Sequence, residues 1–383
     1  MEQKPNPKRL KPQDKEQVCL ALLNGKQVRL PESEIEPLLD FAQEQGVIPL
    51  LHYQLQSASL ATKFPRQSLE KLHAQAILEA AAELARNHEL RQVLTALADG
   101  GVQPLLMKGT PLAYLIYPNP TLRPRCDTDL LFSIADRENA IHILTALGYQ
   151  FPNAVSGNFV RLQATCIKKE KNGFVHQLDL HWKISNQPYF AGILLYKELI
   201  KNALPVPELG PHAHTLALAD ALLFACLHRA GHIADGEGNR LIWLYDIHLL
   251  CKALTANELE YFIAKAKTHR VTSLCLDSLQ QTQLRFYTKL PDATLTQLRS
   301  FSRQPEPSAH YLQKSRLAQF KCNLVLLPTI MDKLAYINET LFPSQNYMLI
   351  KYKTHNRLLL PLLYLHRFIM GCKKQIWNKE EQS

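Results

Sequence analysis

One stretch in the first third of the chain constrains the fold most, because the spacing of its apolar residues changes twice. Val102–Met107 is a short apolar run of strand character, and Lys108-Gly109 follows it directly. Thr110 is a good N-cap and a proline comes next, so we expect a helix over Thr110–Tyr117. Further prolines after that helix predict an extended loop, and Asp127–Ile134 then has the composition of a buried strand. Strand, helix and strand in this order predict an α+β core.

The patterns on either side of this stretch divide the chain into three regions. The residues before it are helical in spacing, with an Ala- and Leu-rich run over Gln67–Ala98 that predicts one or two long helices. Phe159–Lys169 and Phe174–Ile184 are predicted strands of a hairpin, because Asn172-Gly173 between them is a strong turn signal. After Pro205 the patterns are helical again. We therefore expect an N-terminal helical region (1–96), an α+β core (97–204) and a C-terminal helical domain (205–383).

Composition and charge limit the function classes. With 46% hydrophobic and 20% charged residues, the chain is typical of a folded globular protein. A formal charge of +10 favours an anionic partner such as a nucleotide, a nucleic acid or a lipid headgroup. The 8 cysteines are scattered without zinc-site spacing and indicate reduced thiols. No signal peptide is evident, and no run approaches the roughly 20 apolar residues of a transmembrane segment, so we expect a cytoplasmic protein.

The glycine turn and the strand after it carry three features suited to phosphate chemistry. Gly109 lets the backbone approach a phosphate, the helix that follows points N–H groups toward it, and Lys108 adds a positive charge. Asp127 and Asp129 alternate on a strand, which places both carboxylates on one face, where they suit Mg²⁺. Arg123, near the same edge, can meet a phosphate with a planar fork of donors. Together these residues predict a metal and phosphate site.

A third carboxylate would complete a two-metal site, and Asp179 is the candidate. By alternation Gln177, Asp179 and His181 share one face of their predicted strand, while Leu178 and Leu180 face the core. Polar residues inside such an apolar strand are costly unless they have a use. The alternative is that Asp179 is an edge-strand charge that discourages aggregation.

The order of these motifs resembles a known family. Lys-Gly-Thr, a helix, Arg-Pro-x-x-Asp-x-Asp-Leu-Leu and a hairpin strand with Leu-Asp-Leu-His-Trp are similar to bacterial nucleotidyltransferase family proteins of the DNA polymerase β-like superfamily. Relatives of that family include nucleotidyltransferases of abortive-infection type. Gly46–Leu55 and Arg240–Leu250 also resemble family segments. The resemblance implies a polymerase β-like core, a small mixed sheet with flanking helices, between N-terminal and C-terminal helical regions.

The resemblance also implies a reaction, the transfer of an NMP group from an NTP such as ATP to an acceptor hydroxyl. Two Mg²⁺ ions are implied, with Mn²⁺ as a substitute. The implied catalytic and metal-binding residues are Asp127, Asp129 and Asp179, with Asp179 on the metal that activates the acceptor hydroxyl. The implied nucleotide-binding residues are Lys108, Gly109, Thr110 and Arg123. Lys-Gly-Thr departs from the commoner Gly-Ser turn of the superfamily. The acceptor stays open among RNA, protein, a sugar and another small molecule.

Two further functions fit the same residues. One is a catalytically inactive nucleotide- or RNA-binding module that keeps the fold and its charge without turnover. The other is a nucleotidyltransferase toxin directed at RNA, whose RNA binding would weaken steeply with salt. The presence of all three carboxylates favours an active enzyme over the inactive module.

Several residues outside the motif have more than one interpretation. His228 and His232 have the spacing of a zinc-binding helix, but Arg229 stands where a metalloprotease has glutamate, so we interpret them as buried or helix-facing. Asp246 lies in an otherwise apolar helical segment, where a polar contact in the core and a substrate-side role are equally consistent with the pattern. Arg125 is expected on the surface.

The last helical segment, Arg357–Trp377, combines an apolar run with Lys373 and Lys374. A helix that lies on a membrane surface has this composition, and peripheral membrane contact is one interpretation. A helix in the hydrophobic core is the favoured one, because a proline interrupts the run.

Overall fold

Six short strands form one mixed sheet in the middle of the chain. The computed structural model describes residues 11–57, 64–152, 163–313 and 315–380, with the backbone alone for 346, 350 and 371–380. The strands are β1 (Leu105–Met107), β2 (Thr128–Leu131), β3 (Gln163–Lys169), β4 (Val175–His181), β5 (Leu204–Pro205) and β6 (His214–Thr215). Their order in the sheet is β3-β4-β2-β1-β6-β5. β2 runs parallel to β4 and antiparallel to β1, and β3 and β4 form an antiparallel hairpin.

Helices precede, flank and follow the sheet. Those before and within it are α1 (Pro12–Leu23), α2 (Ile35–Glu44), α3 (Ile48–Ser57), α4 (Arg66–Asp99), α5 (Gly109–Leu115), α6 (Arg137–Ala146), α7 (Pro188–Ala191) and α8 (Tyr196–Leu199). Those after it are α9 (Leu218–Gly231), α10 (Leu241–Ala253), α11 (Ala256–Thr268), α12 (Thr272–Phe286), α13 (Asp292–Ser302), α14 (Arg316–Leu326), α15 (Ile330–Leu341), α16 (Gln345–Lys351) and α17 (Leu360–Glu380). The fold is therefore α+β, a small mixed sheet with flanking helices between two helical regions, as the sequence predicted.

Short 3-10 helices complete the regular structure. They cover Glu32–Glu34, Pro120–Leu122, Ile134–Asp136, Ile200–Asn202, Pro207–Leu209, Ile233–Asp235, Pro307–Leu312 and Arg357–Leu359. The one at Pro120–Leu122 lies in the loop between α5 and β2, where the sequence has its prolines.

The sheet separates two hydrophobic clusters. Leu106 and Leu130, which pair across β1 and β2, belong to a cluster that includes the second half of α4 and α6. Leu105 and Met107 face the other cluster, which contains residues of α1 to α3 and of α9 to α14. Asp129 pairs with Met107, so its side chain lies on the face that the C-terminal helices cover.

α4 connects the two clusters. It is one continuous helix of 34 residues, roughly 50 Å long. Leu72 near its start packs in the cluster of the N-terminal and C-terminal helices, whereas Leu90 and Val93 near its end pack under the sheet. Its middle therefore passes beside the edge of the sheet where β2 begins.

The structure differs from the sequence predictions in three details. The helix predicted from Thr110 begins at Gly109, and its N-cap is Lys108 in a left-handed conformation with φ 58°. Of the first hairpin strand, residues 159–162 lie outside the described part of the chain, and β3 begins at Gln163. β6 lies beyond Pro205, where strand patterns end in the sequence, because a strand of two residues is too short to show alternation.

The C-terminal helix also differs from its favoured interpretation. Within α17, Leu362 is 64% exposed and Phe368 is 58% exposed, so this part of the helix is not in the core. Pro361 is tolerated because it lies in the first turn. Over the described ranges, no helix combines the length and the apolar content that crossing a bilayer requires.

Candidate functional site

A cavity of about 340 Å³ lies between the edge of the sheet and the helices on both sides of it. Its walls come from the β1–α5 turn, the loop before β2, the middle of α4, and the facing sides of α9 and α10. The charged residues of its lining are Glu79, Arg86, Lys108, Arg123, Arg125, Asp127, Asp129, Arg240 and Asp246. Gly109 and Thr110 also line it, so most of the residues singled out from the sequence meet here.

The strand register brings two of the three predicted carboxylates together, Asp129 and Asp179, while Asp127 lines the cavity outside that close group. Asp127 precedes β2, Asp129 lies within it, and Asp129 pairs directly with Asp179 of β4. His181 lies on the same face as Asp179, and its Nε2 is 2.8 Å from Asp129 Oδ1. One ligand atom each from Asp129, Asp179 and His181 lies within 4.8 Å of the others. Thr165 of β3 donates to Asp179 Oδ1 at 2.8 Å, which fixes that carboxylate just outside the cavity lining.

Lys108 is the cation that faces these carboxylates. Its ammonium donates to Asp129 Oδ1 at 2.6 Å. Burial disfavours the ionised Asp129 carboxylate, but Lys108 and His181 outweigh burial and hold its pKa well below the ordinary value. Burial and the neighbouring Asp129 raise the pKa of Asp127. The carboxylates therefore form a site of concentrated negative charge that requires a cation.

The donor set fits a divalent cation that prefers oxygen. Asp127, Asp129 and Asp179 supply carboxylate oxygens, which suit Mg²⁺ and Mn²⁺. His181 already contacts Asp129, and a histidine in that place orients the carboxylate that would bind the metal. The ammonium of Lys108 occupies the position of a counter-cation at Asp129. The sequence placed His181 on the correct face but assigned it no role.

The backbone at Lys108 is strained. A φ of 58° with ψ of −137° is a conformation that side-chain-bearing residues rarely adopt. Gly109 follows in a tight space, because a Cβ atom there would lie 2.8 Å from Arg123 Cζ. Gly109 therefore leaves room for the guanidinium of Arg123, and its predicted role at a phosphate stays a prediction.

Arg123 belongs to a buried group that we call the Asp246 cluster (Arg123, Tyr117 and Asp246). Arg123 Nε donates to Asp246 Oδ1 at 2.9 Å, and Nη2 donates to Oδ2 at 2.8 Å. Tyr117 donates to Asp246 Oδ1 at 2.6 Å. Arg123 Nη1 bonds Pro124 O, so only part of the guanidinium is left for a ligand. Asp246 therefore makes a buried polar contact, which was one of the two alternatives considered for it, and it also lies in the cavity wall.

Arg125 belongs to a second buried group, the Glu83 cluster (Arg125, Tyr114 and Glu83). Arg125 Nε and Nη2 donate to the two oxygens of Glu83 at 2.9 and 3.0 Å, and Tyr114 donates to Oε1 at 2.7 Å. Its third nitrogen bonds Thr128 Oγ1 and the carbonyl of Asp127. The expectation that Arg125 lies on the surface is wrong, because α4 brings Glu83 to it. The side chain is 3% exposed.

The two histidines of α9 pack against an aromatic ring. The ring centroids of His228 and His232 lie 4.6 and 5.2 Å from that of Trp243 on α10. Burial and, to a lesser extent, the positive charge of Lys108 lower the pKa of His228 well below its usual value, so this imidazole is neutral. Among the described residues, the group that could hold a metal ion includes neither histidine. The structure agrees with the interpretation of helix-facing histidines.

The segments Gly46–Leu55 and Arg240–Leu250 meet at the cavity. The side-chain oxygen of Gln45 accepts a hydrogen bond from the N–H of Leu241 at 3.0 Å. The backbone carbonyl of Gln45 accepts another from the N–H of Ile242 at 3.3 Å. A Cβ atom at Gly46 would lie 3.2 Å from Ile242 Cγ2. This contact fixes the start of α10 against the junction of α2 and α3.

Comparison with known protein families gives one match. A family model described as an uncharacterised nucleotidyltransferase matches residues 31–287, which is more than half of the chain. The match runs from just before α2 to the residue after α12 and includes every residue of the cavity lining. A search of curated proteins found no match.

Proposed function

Because the chain belongs to this family of nucleotidyltransferases, we propose that it transfers an NMP group from an NTP to a hydroxyl of an acceptor. The observation that carries the proposal is the register that sets Asp129 beside Asp179, with Asp127 at the mouth of the same strand. Asp127 and Asp129 in the lining of a cavity of nucleotide-binding size, with Asp179 just outside it, are the chemistry that metal-dependent phosphoryl transfer requires.

The three carboxylates and His181 each have a part in the proposed reaction. Asp127, Asp129 and Asp179 would hold Mg²⁺ or Mn²⁺, and the bound ions would polarise the α-phosphate and neutralise the leaving pyrophosphate. The acceptor oxygen forms a bond to Pα while the bond from Pα to the bridging oxygen breaks, and the hydroxyl proton passes to solvent. His181 keeps the Asp129 carboxylate oriented. Positioning and charge neutralisation supply most of the rate.

The turn after β1 is the proposed triphosphate site. Lys108, Gly109 and Thr110 line the cavity next to the carboxylates. Lys108 would contact a phosphate oxygen there once its ammonium is released from Asp129. Arg123 can add the donors that Asp246 and Pro124 leave unused.

The test uses isosteric variants of two carboxylates. Purified wild type, Asp127→Asn and Asp179→Asn are incubated with each α-labelled NTP, Mg²⁺, and a cell extract divided into RNA, protein and small-molecule fractions. We expect label in one fraction, reduced by about 1,000-fold in both variants. The matched control is Asp99→Asn, since Asp99 is an exposed carboxylate at the end of α4 and should transfer label as wild type does.

One contact favours a second candidate, the inactive nucleotide- or RNA-binding module. Lys108 already neutralises Asp129, so the site has a built-in cation that needs no metal. If wild type binds Mg²⁺-NTP but no fraction acquires label, this candidate replaces the transferase. Label in the RNA fraction alone would instead favour the RNA-directed enzyme, and its RNA binding should then weaken steeply with salt.

A further inference from the structure

Arg86 is a cavity-lining cation without a full set of partners. α4 places it one turn after Glu83, in the wall of the cavity. Its Nε and Nη1 are buried, and neither has a hydrogen-bond partner among the described residues. Its guanidinium lies 5.6 Å from the ring centroid of Phe174, which holds it in place without satisfying its donors.

The nearest carboxylate is already committed. Glu83 accepts two bonds from Arg125 and one from Tyr114, so its charge is balanced within the Glu83 cluster. Burial and Arg125 lower the pKa of Arg86, whereas Glu83 and Glu79 raise it. Repulsion from Arg125 therefore adds to the cost of leaving Arg86 unpaired.

Arg240 repeats this situation on the other side of the cavity lining. It lies at the N-cap of α10, and its Nε is buried without a hydrogen-bond partner among the residues described. The guanidinium lies 5.7 Å from the ring centroid of Trp243. Gly46 lies beside it, since a Cβ atom there would be in ordinary van der Waals contact with Arg240 Nη2, at 3.8 Å.

We propose that Arg86 and Arg240 bind phosphate oxygens of a substrate held in this cavity, an inference that rests on the proposed function. A buried unpaired donor costs about 1–3 kcal/mol, and more when it is charged. Asp129, Asp246 and Glu83 are each bonded to another cation. Glu79 and Asp127 also line the cavity, but among the described residues neither forms an ion pair with Arg86 or Arg240, so an anionic ligand can supply the partner that both arginines lack. A guanidinium matches the geometry of a phosphate with two parallel donors.

Two substrates can supply that phosphate, the triphosphate of the NTP and a phosphate group on the acceptor. Calorimetric titration with tripolyphosphate, ATP and adenosine tests the first. We expect Arg86→Gln and Arg240→Gln each to weaken binding of tripolyphosphate and ATP by about 10- to 100-fold and to leave adenosine binding unchanged. Arg66→Gln is the control, because Arg66 lies on the same helix and its side chain is 92% exposed.

The second source is tested with inorganic phosphate, titrated into protein saturated with ATP. If the variants weaken only this binding, the arginines bind the acceptor's phosphate. If wild type binds the probes and both variants bind every probe with the same affinity as Arg66→Gln, the inference is wrong while the proposed function stands. If wild type binds none of the probes, both are wrong.

Thermal unfolding separates ligand binding from a structural role. Removal of an unpaired buried guanidinium should leave the melting temperature of Arg86→Gln at or above that of wild type. A lower melting temperature with unchanged tripolyphosphate affinity would assign Arg86 to the structure and overturn the inference. Arg86→Lys keeps the charge without the fork and should recover part of the lost affinity.

Discussion

The two helical regions contact the loop before β2 through ion pairs of the same kind, each between a carboxylate and an arginine. On the C-terminal side, Asp246 of α10 accepts two bonds from Arg123, and on the N-terminal side Glu83 of α4 accepts two bonds from Arg125. Each carboxylate also accepts a tyrosine hydroxyl from α5 or the residues just after it. The two arginines are two positions apart in one loop, so that loop is fixed from both sides.

The two clusters differ in the part of the site that they reach. The Glu83 cluster bonds Thr128 and the carbonyl of Asp127, and so fixes the start of the carboxylate strand. The Asp246 cluster crowds Gly109, and so fixes the turn proposed to bind the triphosphate. The N-terminal helices therefore position the proposed metal ligands, and the C-terminal helices position the proposed phosphate turn.

The largest effect should come from removal of either central carboxylate. Glu83→Ala and Asp246→Ala each leave a buried arginine and a tyrosine without an acceptor, so each should lower the free energy of unfolding by about 3–5 kcal/mol. The measurement is the urea unfolding midpoint. Glu70→Ala, which breaks an ion pair with side chains 92% and 62% exposed, should cost less than about 1 kcal/mol.

The same two variants should separate in their kinetics. Glu83→Ala should raise the Mg²⁺ concentration needed for half-maximal transfer, because Arg125 no longer fixes the strand of Asp127. Asp246→Ala should raise KM for the NTP, because the turn at Gly109 loses its neighbour. If both variants change the same parameter, the division between the two clusters is wrong.

A smaller effect should come from one added methyl group. Gly109→Ala places a Cβ against Arg123 and should cost about 1–3 kcal/mol by overpacking. Because it displaces Arg123, its kinetic effect should resemble that of Asp246→Ala. Gly192→Ala is the matched control, since nothing lies within 4 Å of a Cβ there and φ is −96°. If Gly109→Ala is as stable as wild type and has a normal KM for the NTP, the Asp246 cluster does not fix the turn at Gly109.

Local periodicity accounts for the part of the site that was predicted from the sequence. A period of two places Asp179 and His181 on one face, and the glycine turn marks the end of β1. The partners of the arginines were not predictable, because Glu83 is 42 positions from Arg125 and Asp246 is 123 positions from Arg123. In the sequence Glu83 is an ordinary polar residue of a helix, and only tertiary packing gives it a charge partner.

Sequence patterns also placed the helix start one residue late. Thr110 has the side chain of an N-cap, but the N-cap position is taken by Lys108, whose ammonium donates to Asp129 Oδ1 at 2.6 Å. A local cap propensity of about 1 kcal/mol is too small to fix a helix start against tertiary contacts.

The smallest effect concerns the conformation of Lys108, which belongs to neither cluster. Lys108→Ala keeps the left-handed backbone and loses the ammonium, whereas Lys108→Gly loses the ammonium and relieves the strain. We expect the glycine variant to be more stable than the alanine variant by about 1 kcal/mol in urea unfolding. Arg270 has a similar φ of 55° and does not line the cavity, so Arg270→Ala and Arg270→Gly are the matched control pair.

The Arg270 pair should show the same gain in stability without any change in NTP binding, while both Lys108 variants bind NTP more weakly. If alanine and glycine at position 108 are equally stable, the backbone there relaxes once the ion pair is gone. The strain would then be held by the contact with Asp129 rather than by the turn that the Asp246 cluster fixes.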